Sequence, residues 1–225
     1  MQKWVEDAIE PLSEEAEGFA LGRGLPSTLL AELGIGLWRP PAVASPDSSY
    51  AARYGDKGEG VADWLAIPLY APQGRLVGVT YRRWEGPKEV LKFRLKGSAK
   101  VPIFEGLNPA SLGRLWRGGD VWLVEGIFDL SLSHVIPTSD CILACGTARL
   151  TNPQTLFLQR FLGRGRVVHV VFDEDAIGRE KGGEAVKRLD RVGVRARHVR
   201  YRGGKDPGEI WERGGKSALA MSFNL

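Results

Sequence analysis

The sequence predicts an α/β fold, in which a mostly parallel sheet with helices on both faces forms the C-terminal part, next to an N-terminal α+β basic subdomain. Three observations predict it. Short apolar runs alternate with helical patterns after residue 118, two strand-like runs joined by a turn occur before it, and basic residues cluster soon after that turn. A helix between two strands returns the chain to the starting end of the sheet, so this alternation predicts parallel pairing. We therefore divide the chain into residues 1–117 and 118–225.

The composition indicates an ordered, globular protein. Hydrophobic residues make up 43% of the 225 residues, which is sufficient for a buried core. The formal net charge of +4 is compatible with an anionic partner but is weak evidence for one. The sequence has no apolar run typical of a signal peptide or a membrane span, so we expect a cytoplasmic protein without a membrane partner. Cys141 and Cys145 lie in one apolar run, which favours buried thiols over a disulfide or a zinc site.

The first 117 residues contain both helical and strand-like patterns. Apolar residues at helical spacing predict an opening helix from Trp4 to Leu12, and a second helix is predicted over residues 27–33. Pro, Ser, Asp and Gly dominate residues 40–60, which is typical of an exposed loop. Two strands joined by a turn sequence follow, over residues 65–70 and 76–84.

After residue 118, strands and helices alternate regularly. The predicted strands are short, apolar and mostly β-branched, and they cover residues 121–124, 141–145, 166–172 and 194–199. The predicted helices cover residues 126–135, a stretch that begins at Asn152-Pro153, and residues 176–191. Asn at the N-cap and Pro at the first helical position are typical of a helix start. In a sheet of this kind, ligands bind beyond the carboxyl ends of the strands.

Three carboxylates follow two of these strands. Glu125 comes directly after the first strand of this half, and Asp173 and Asp175 come after the strand that ends near residue 172. Because parallel strands end at the same edge of a sheet, the three side chains can converge there. Crowded like charges are unfavourable unless a cation neutralises them, and hard oxygen ligands favour Mg²⁺ or Mn²⁺. A helix cap is the simpler interpretation of Asp175 alone, but it does not explain all three acids.

Four motifs occur in a fixed order in the C-terminal half. They are Val124-Glu125-Gly126-Ile127-Phe128-Asp129, Gly146-Thr147-Ala148-Arg149-Leu150-Thr151, Phe172-Asp173-Glu174-Asp175-Ala176-Ile177-Gly178-Arg179 and Lys205-Asp206-Pro207-Gly208-Glu209. Upstream of these are Leu21-Gly22-Arg23-Gly24-Leu25, Ile67-Pro68-Leu69, Gly78 and Arg82-Arg83. Together the motifs resemble the Toprim domain and polymerase core of bacterial DnaG-type DNA primases. The chain departs from the family pattern at Gly208, where the family normally has Asp.

The resemblance implies a nucleotidyl transferase of the DNA primase type, which makes short primers on a single-stranded DNA template from nucleoside triphosphates. It implies Mg²⁺ or Mn²⁺ as the cofactor and no zinc. The implied metal ligands are Glu125, Asp173, Asp175 and Asp206, and the first three are the implied catalytic residues. Glu125 would either bind metal or act as the general base.

Further positions are implied on the same basis. Nucleic-acid or nucleotide binding is implied for four basic residues, Arg82, Arg83, Lys92 and Lys100. Alternation along a strand allows only one of the two adjacent arginines to face a groove. Supporting positions in the motifs are Gly126, Asp129, Gly146, Thr147, Gly178, Lys205 and Glu209. Glu209 is a candidate to replace the carboxylate missing at Gly208; otherwise the site binds one metal fewer.

The resemblance also bears on partners and alternatives. Family members usually carry a zinc-binding module and a helicase-contacting domain, for which this sequence has neither the cysteines nor the length. We therefore expect a bare polymerase core, from a phage, a plasmid or a specialised system, that works with a replicative helicase or a separate accessory protein. Two other functions stay open: a Toprim metal-dependent nuclease, and a non-catalytic nucleic-acid-binding replication factor that only Gly208 supports. The second motif and the primase-like N-terminal half argue against a nuclease.

Overall fold

The structure is a computed structural model that describes residues 9–38, 64–84, 90–94, 101–162 and 165–225, with the backbone alone for Trp38 and residues 91–94. Its elements form two sheets. One is a five-stranded antiparallel sheet whose strands lie in chain order. The other is a four-stranded sheet in which every pair is parallel and the second strand along the chain lies at the edge, beside the first. The predicted fold class is therefore confirmed.

The N-terminal half supplies the antiparallel sheet and two short helices. In chain order they are β1 (Ile9–Glu10), α1 (Glu14–Gly22), α2 (Ser27–Leu33), β2 (Gly36–Trp38), β3 (Trp64–Tyr70), β4 (Leu76–Arg83) and β5 (Val90–Arg94). Ser13 caps α1, because its hydroxyl accepts a hydrogen bond from the amide of Ala16 at 3.2 Å. Gly34 ends α2 with φ 64°, a left-handed conformation that favours glycine.

The C-terminal half supplies the parallel sheet and its helices. In chain order they are α3 (Pro109–Arg117), β6 (Val121–Val124), a 3₁₀ helix (Ile127–His134), β7 (Cys141–Ala144), α4 (Asn152–Leu162), β8 (Val167–Val171), α5 (Ala176–Arg191), β9 (Arg195–His198) and α6 (Pro207–Phe223). Strands β6 and β8 lie at the centre of the sheet, which explains why their side chains are almost entirely buried and apolar.

Helix α5 approaches the end of β8 very closely. A Cβ atom on Gly178 would lie 2.2 Å from the carbonyl oxygen of Asp173, so only glycine allows this contact. One turn later, a Cβ on Gly182 would lie 2.4 Å from the ring of His198 on β9. These two glycines weaken the helix as an isolated element but allow it to pack on the sheet. The close approach fixes the loop that carries Asp173 and Asp175.

The two halves share one hydrophobic core. The largest apolar cluster joins Leu25 and Leu30 of the N-terminal half to Trp122, Phe128 and Ile210 of the C-terminal half. Burial of these side chains stabilises the packing of the two halves, because apolar surface removed from water contributes about 25 cal/mol per Å². The antiparallel sheet is thereby held next to the carboxyl edge of the parallel sheet.

Several local predictions need correction. The predicted opening helix is wrong at Ile9–Glu10, which form β1: Ile9 pairs with Trp38 and packs on the apolar cluster around Trp64. The segment after β6 is helical as predicted, but it is a 3₁₀ helix, and its residues from Ile127 to Leu132 are all buried.

The start of α4 also differs by one position. The residue that precedes the helix is Thr151, whose amide donates to the side chain of Gln154 at 2.8 Å and whose hydroxyl accepts from the Gln154 amide at 3.4 Å.

Trp4 and the predicted loop over residues 40–60 lie outside the described residues. Within the described part of the chain, no helix is long and apolar enough to span a membrane.

Candidate active site

The carboxyl edge of the parallel sheet brings two acidic segments together. Strands β6 and β8 are neighbours, with Val124 paired to Val171 at their ends. Glu125 follows directly on β6, and Asp173 follows β8 after one buried residue. The charge of Asp173 raises the pKa of the Glu125 carboxyl and the Asp173 backbone amide lowers it, so the two segments lie close together. The structure therefore places these acids as the sheet topology predicts.

The ammonium of Lys205 lies between the two aspartates. Its Nζ atom is 3.2 Å from Oδ2 of Asp173 and 3.3 Å from Oδ2 of Asp175. Asp175 also caps α5, because its Oδ1 accepts from the Gly178 amide at 2.8 Å, and this bond lowers the pKa of the Asp175 carboxyl. Asp175 thus caps the helix and at the same time presents its second oxygen to a cation.

Glu125 is a half-buried carboxylate whose hydrogen bonds and nearby cations do not offset the cost of burying its charge. Burial raises its pKa to about 7, and the nearby charge of Asp173 acts in the same direction. Its Oε2 atom is buried and makes no hydrogen bond. A buried acceptor without a partner costs free energy, and a bound cation would remove that cost.

Another carboxylate with a raised pKa, Asp129, holds the turn that directly follows Glu125. Asp129 is only 6% exposed, and its Oδ2 accepts from the Gly126 amide at 2.8 Å. Burial raises its pKa to about 8, and the charge of Asp206 contributes to the same shift. Asp129 is therefore a buried residue that fixes the backbone directly after Glu125.

The fourth motif forms the start of α6. Asp206 caps this helix by accepting from the Glu209 amide at 2.7 Å. Oε2 of Glu209 accepts from the Lys205 amide at 2.6 Å, and its Oε1 pairs with Arg213. Both oxygens of Glu209 are thus engaged within the helix start. A Cβ atom on Gly208 would lie 3.4 Å from Nη2 of Arg23.

A cleft of about 450 Å³ opens between β4 and the carboxyl edge of the parallel sheet. The residues that line it come from both halves of the chain and are Thr80, Arg82, Val90, Glu105, Glu125, Gly126, Ile127, Gly146 and Thr147. Arg82 lies in this cleft, with its guanidinium carbon 4.4 Å from the centre of the Phe128 ring. Burial lowers the pKa of Arg82, and the positive charge of Arg23 adds to the effect.

The structure describes the other three predicted basic residues, Arg83, Lys92 and Lys100, to different extents. Arg83 follows Arg82 on β4, so its side chain leaves the opposite face of the strand. Lys92 lies on β5 with its backbone paired to Thr80, and its side chain lies outside the described part. Lys100 lies outside the described residues altogether.

Two residues that line or adjoin the cleft, Glu105 and Arg23, are not among the site residues that the sequence predicts. Glu105 is 5% exposed and accepts a hydrogen bond from the Thr80 hydroxyl at 3.0 Å. Arg23 stacks on Phe128, with its guanidinium carbon 4.8 Å from the ring centre, and pairs with Glu212 at 2.6 Å. Only a long-range contact identifies Glu105, because its neighbours in sequence give no signal of a site. Arg23 belongs to an N-terminal motif, but its contact with α6 was not predictable.

The donors at this edge fit a hard divalent cation. Asp173 and Asp175 already share one cation, the Lys205 ammonium, and Glu125 adds an unsatisfied buried oxygen. Carboxylate oxygens are the ligands that Mg²⁺ and Mn²⁺ prefer. Among the described side chains, no three His, Cys, Asp or Glu residues are close enough to form a complete site without movement.

Comparisons with known proteins agree with this architecture. Residues 122–211 match the family described as Toprim-like. The chain is 29% identical over 163 residues to a DNA primase of Aquifex aeolicus, covering 71% of this chain and 32% of that protein. It is 23% identical over 228 aligned positions to a DNA primase of Clostridium acetobutylicum, covering 92% of this chain and 37% of that protein. The chain thus spans about a third of the length of these relatives.

Solved structures show the same fold. The Aquifex aeolicus primase with its zinc-binding and RNA polymerase domains superposes with a TM-score of 0.72 and 24% identity, over 99% of this chain and 59% of that one. A DnaG primase catalytic domain bound to single-stranded DNA superposes with a TM-score of 0.68 and 18% identity, over 99% and 77% of the two chains. The cleft and its acidic edge therefore belong to a fold that both structures share.

Proposed function

We propose that this chain, which contains a Toprim-like domain within the fold of a primase catalytic core, is a DNA primase that joins nucleoside triphosphates into short primers on single-stranded DNA. The observation that carries the proposal is the convergence of Glu125, Asp173 and Asp175 beside a cleft that also contains Arg82. Acids that hold a divalent ion, next to a cation for phosphates, are what phosphoryl transfer requires.

The acidic residues have distinct roles in this proposal. Asp173 and Asp175 would hold Mg²⁺ or Mn²⁺, with Glu125 and Asp206 close by. When bound, the ion lowers the pKa of the attacking 3′-hydroxyl and offsets charge on the phosphates. Glu125, with a pKa of about 7 in the metal-free protein, is suited either to ligate the ion or to accept the hydroxyl proton. Asp129 positions Glu125 through the Gly126 amide.

The basic residues would bind the anionic partners. Arg82 is the described cation nearest to Gly126 in the cleft and can contact a phosphate with a planar, bidentate guanidinium. Lys92 and Lys100 are further candidates for the template or the triphosphate. A replicative helicase or a separate accessory protein would recruit the enzyme to its template.

Primer synthesis in vitro tests the proposal directly. The protein is incubated with single-stranded DNA, labelled nucleoside triphosphates and Mg²⁺ or Mn²⁺, and the products are resolved on a denaturing gel. We expect new oligonucleotides that require both template and metal. Shortened template without synthesis would instead identify a nuclease. Template binding without any reaction would identify a non-catalytic binding factor.

The Arg82→Gln variant should bind single-stranded DNA about five- to tenfold more weakly, because one phosphate contact is lost. The slope of log affinity against log salt should fall by about one, as expected for one fewer neutralised phosphate. Fluorescence anisotropy over a salt series measures both quantities. Arg75→Gln is the matched control, since Arg75 is exposed in the turn between β3 and β4, away from the cleft. Equal affinities for the two variants would remove Arg82 from the binding groove.

A further inference from the structure

Each acid of the segment Asp173-Glu174-Asp175 is paired with a cation in this structure. The middle acid, Glu174, pairs with Arg200 through two hydrogen bonds of 2.6 Å. The outer two, Asp173 and Asp175, share the ammonium of Lys205 at 3.2 and 3.3 Å. The outer pair consists of the acids proposed to hold metal, and Lys205 occupies the position between them.

The backbone of Lys205 is held by hydrogen bonds on both sides, which places the start of its side chain near the aspartates. Its carbonyl oxygen accepts from the Glu174 amide at 2.7 Å and from the Tyr201 hydroxyl at 2.8 Å. Its amide donates to Glu209 at 2.6 Å. The main chain of Lys205 is therefore tied to the loop that carries both aspartates and to the start of α6.

We propose that Lys205 is the counter-ion of the metal-free active site and that its ammonium must leave the position between Asp173 and Asp175 when a divalent ion binds there. This inference rests on the proposed function, because it assumes that the two aspartates are metal ligands. An ammonium and a divalent cation repel each other strongly at contact distance, so they cannot share the two carboxylate oxygens. The exchange has to be one cation for another.

The displaced ammonium keeps its charge and stays near the cleft. A lysine ammonium ordinarily loses its proton only well above neutral pH, and this side chain is 55% exposed on a flexible stem. It can therefore swing away from the aspartates and meet the phosphates of an incoming triphosphate. Both a free metal ion and a metal–triphosphate complex must displace the lysine. Only with the complex does the displaced ammonium form a new contact, with the phosphates, that offsets the lost ion pairs.

Two functional consequences follow from this exchange. Without metal, the lysine holds the two aspartates close together despite their like charges. With free metal alone, the lysine competes and weakens binding. Lys205 thereby favours a metal–nucleotide complex over a free divalent ion.

Binding of Mn²⁺ followed by electron paramagnetic resonance tests the inference without any activity measurement. Lys205→Gln should bind free Mn²⁺ about five- to tenfold more tightly than the wild type, since two exposed ion pairs no longer compete. Lys205→Arg, which keeps the charge, should stay within about twofold of the wild type. Lys181→Gln is the matched control, because Lys181 also bridges two carboxylates, Glu180 at 3.6 Å and Glu184 at 3.0 Å, on the surface of α5.

The possible results separate this inference from the proposed function. Tighter Mn²⁺ binding in Lys205→Gln but not in Lys181→Gln supports the competition. Equal or weaker binding in Lys205→Gln overturns the role of Lys205 and leaves the metal site in place. No Mn²⁺ binding in either the wild type or Lys205→Gln overturns the metal site and with it the proposed function. Thermal melting without metal, where Lys205→Gln should melt below the wild type, checks that the variant is folded.

Discussion

Replacing Asp173 with asparagine is expected to lower the rate of primer synthesis by at least about a hundredfold, which is the usual loss when one charge-stabilising group is removed from an active site. An amide oxygen carries no full negative charge, so it holds a divalent ion poorly beside Asp175. The measurement is incorporation of labelled nucleotide on a single-stranded template at saturating Mg²⁺. Excess Mn²⁺ should restore part of the rate if the loss lies in metal affinity.

Loss of folding is the alternative explanation for such a result, and the structure argues against it. Burial raises the pKa of Asp173, so its ionised form is disfavoured in the folded protein and asparagine removes that cost. Asp190→Asn is the matched control, because Asp190 is exposed near the end of α5. Asp190→Asn should keep full activity, and both variants should melt close to the wild type. Full activity in Asp173→Asn would exclude Asp173 from the metal site.

The parallel sheet was predictable because its signals are local. Strands β6 and β8 are short and mainly apolar, with several valines, and they are buried on both faces. Their order along the chain fixes parallel pairing, and parallel pairing brings their carboxyl ends to one edge. The positions of Glu125 and Asp173 at that edge follow from these two facts. No long-range information was needed beyond the topology.

The other side of the cleft depended on contacts that the sequence does not encode locally. The sequence left open which of Arg82 and Arg83 faces the cleft, because the register of β4 on β3 decides it. Glu105 reaches the cleft through an isolated pairing with Ala144 on β7, a residue far away in the chain. Similarly, Ile9 and Glu10, which the sequence places in the opening helix, form β1 because they pair with the free edge of β2.

Gly208, where the resemblance leads us to expect Asp, lies next to Arg23. The guanidinium of Arg23, held by Glu212 at 2.6 Å, lies beside the place where a side chain at 208 would begin. Glu209 does not fill the gap, since its oxygens bond the Lys205 amide and Arg213. The Arg23 guanidinium and the Asp206 carboxylate thus both lie next to Gly208. That the site binds one divalent ion fewer than a site with Asp at that position stays a prediction.

The metal-free protein is expected to lose stability as the pH rises from 6 to 8.5. Asp129 is buried and its pKa is raised to about 8, whereas the unfolded chain releases the same proton near the ordinary value of 3.8. Between these two values the folded state binds more protons than the unfolded state, so the free energy of unfolding falls as the pH increases. The raised pKa of Glu125, about 7, acts in the same direction. For Asp129 the loss should amount to about 2–4 kcal/mol, measured by urea unfolding in the presence of a chelator.

Asp129→Asn should remove most of this pH dependence. Asparagine keeps an oxygen that can accept from the Gly126 amide, and it has no proton to release. The variant should therefore match the wild type at pH 6 and exceed its unfolding free energy at pH 8.5. Added Mg²⁺ should offset the part due to Glu125, which faces the cleft, and leave the part due to Asp129, which is buried beneath it. A wild type that is equally stable at both pH values, or a variant that loses as much as the wild type, would show that Asp129 does not remain protonated in the folded protein.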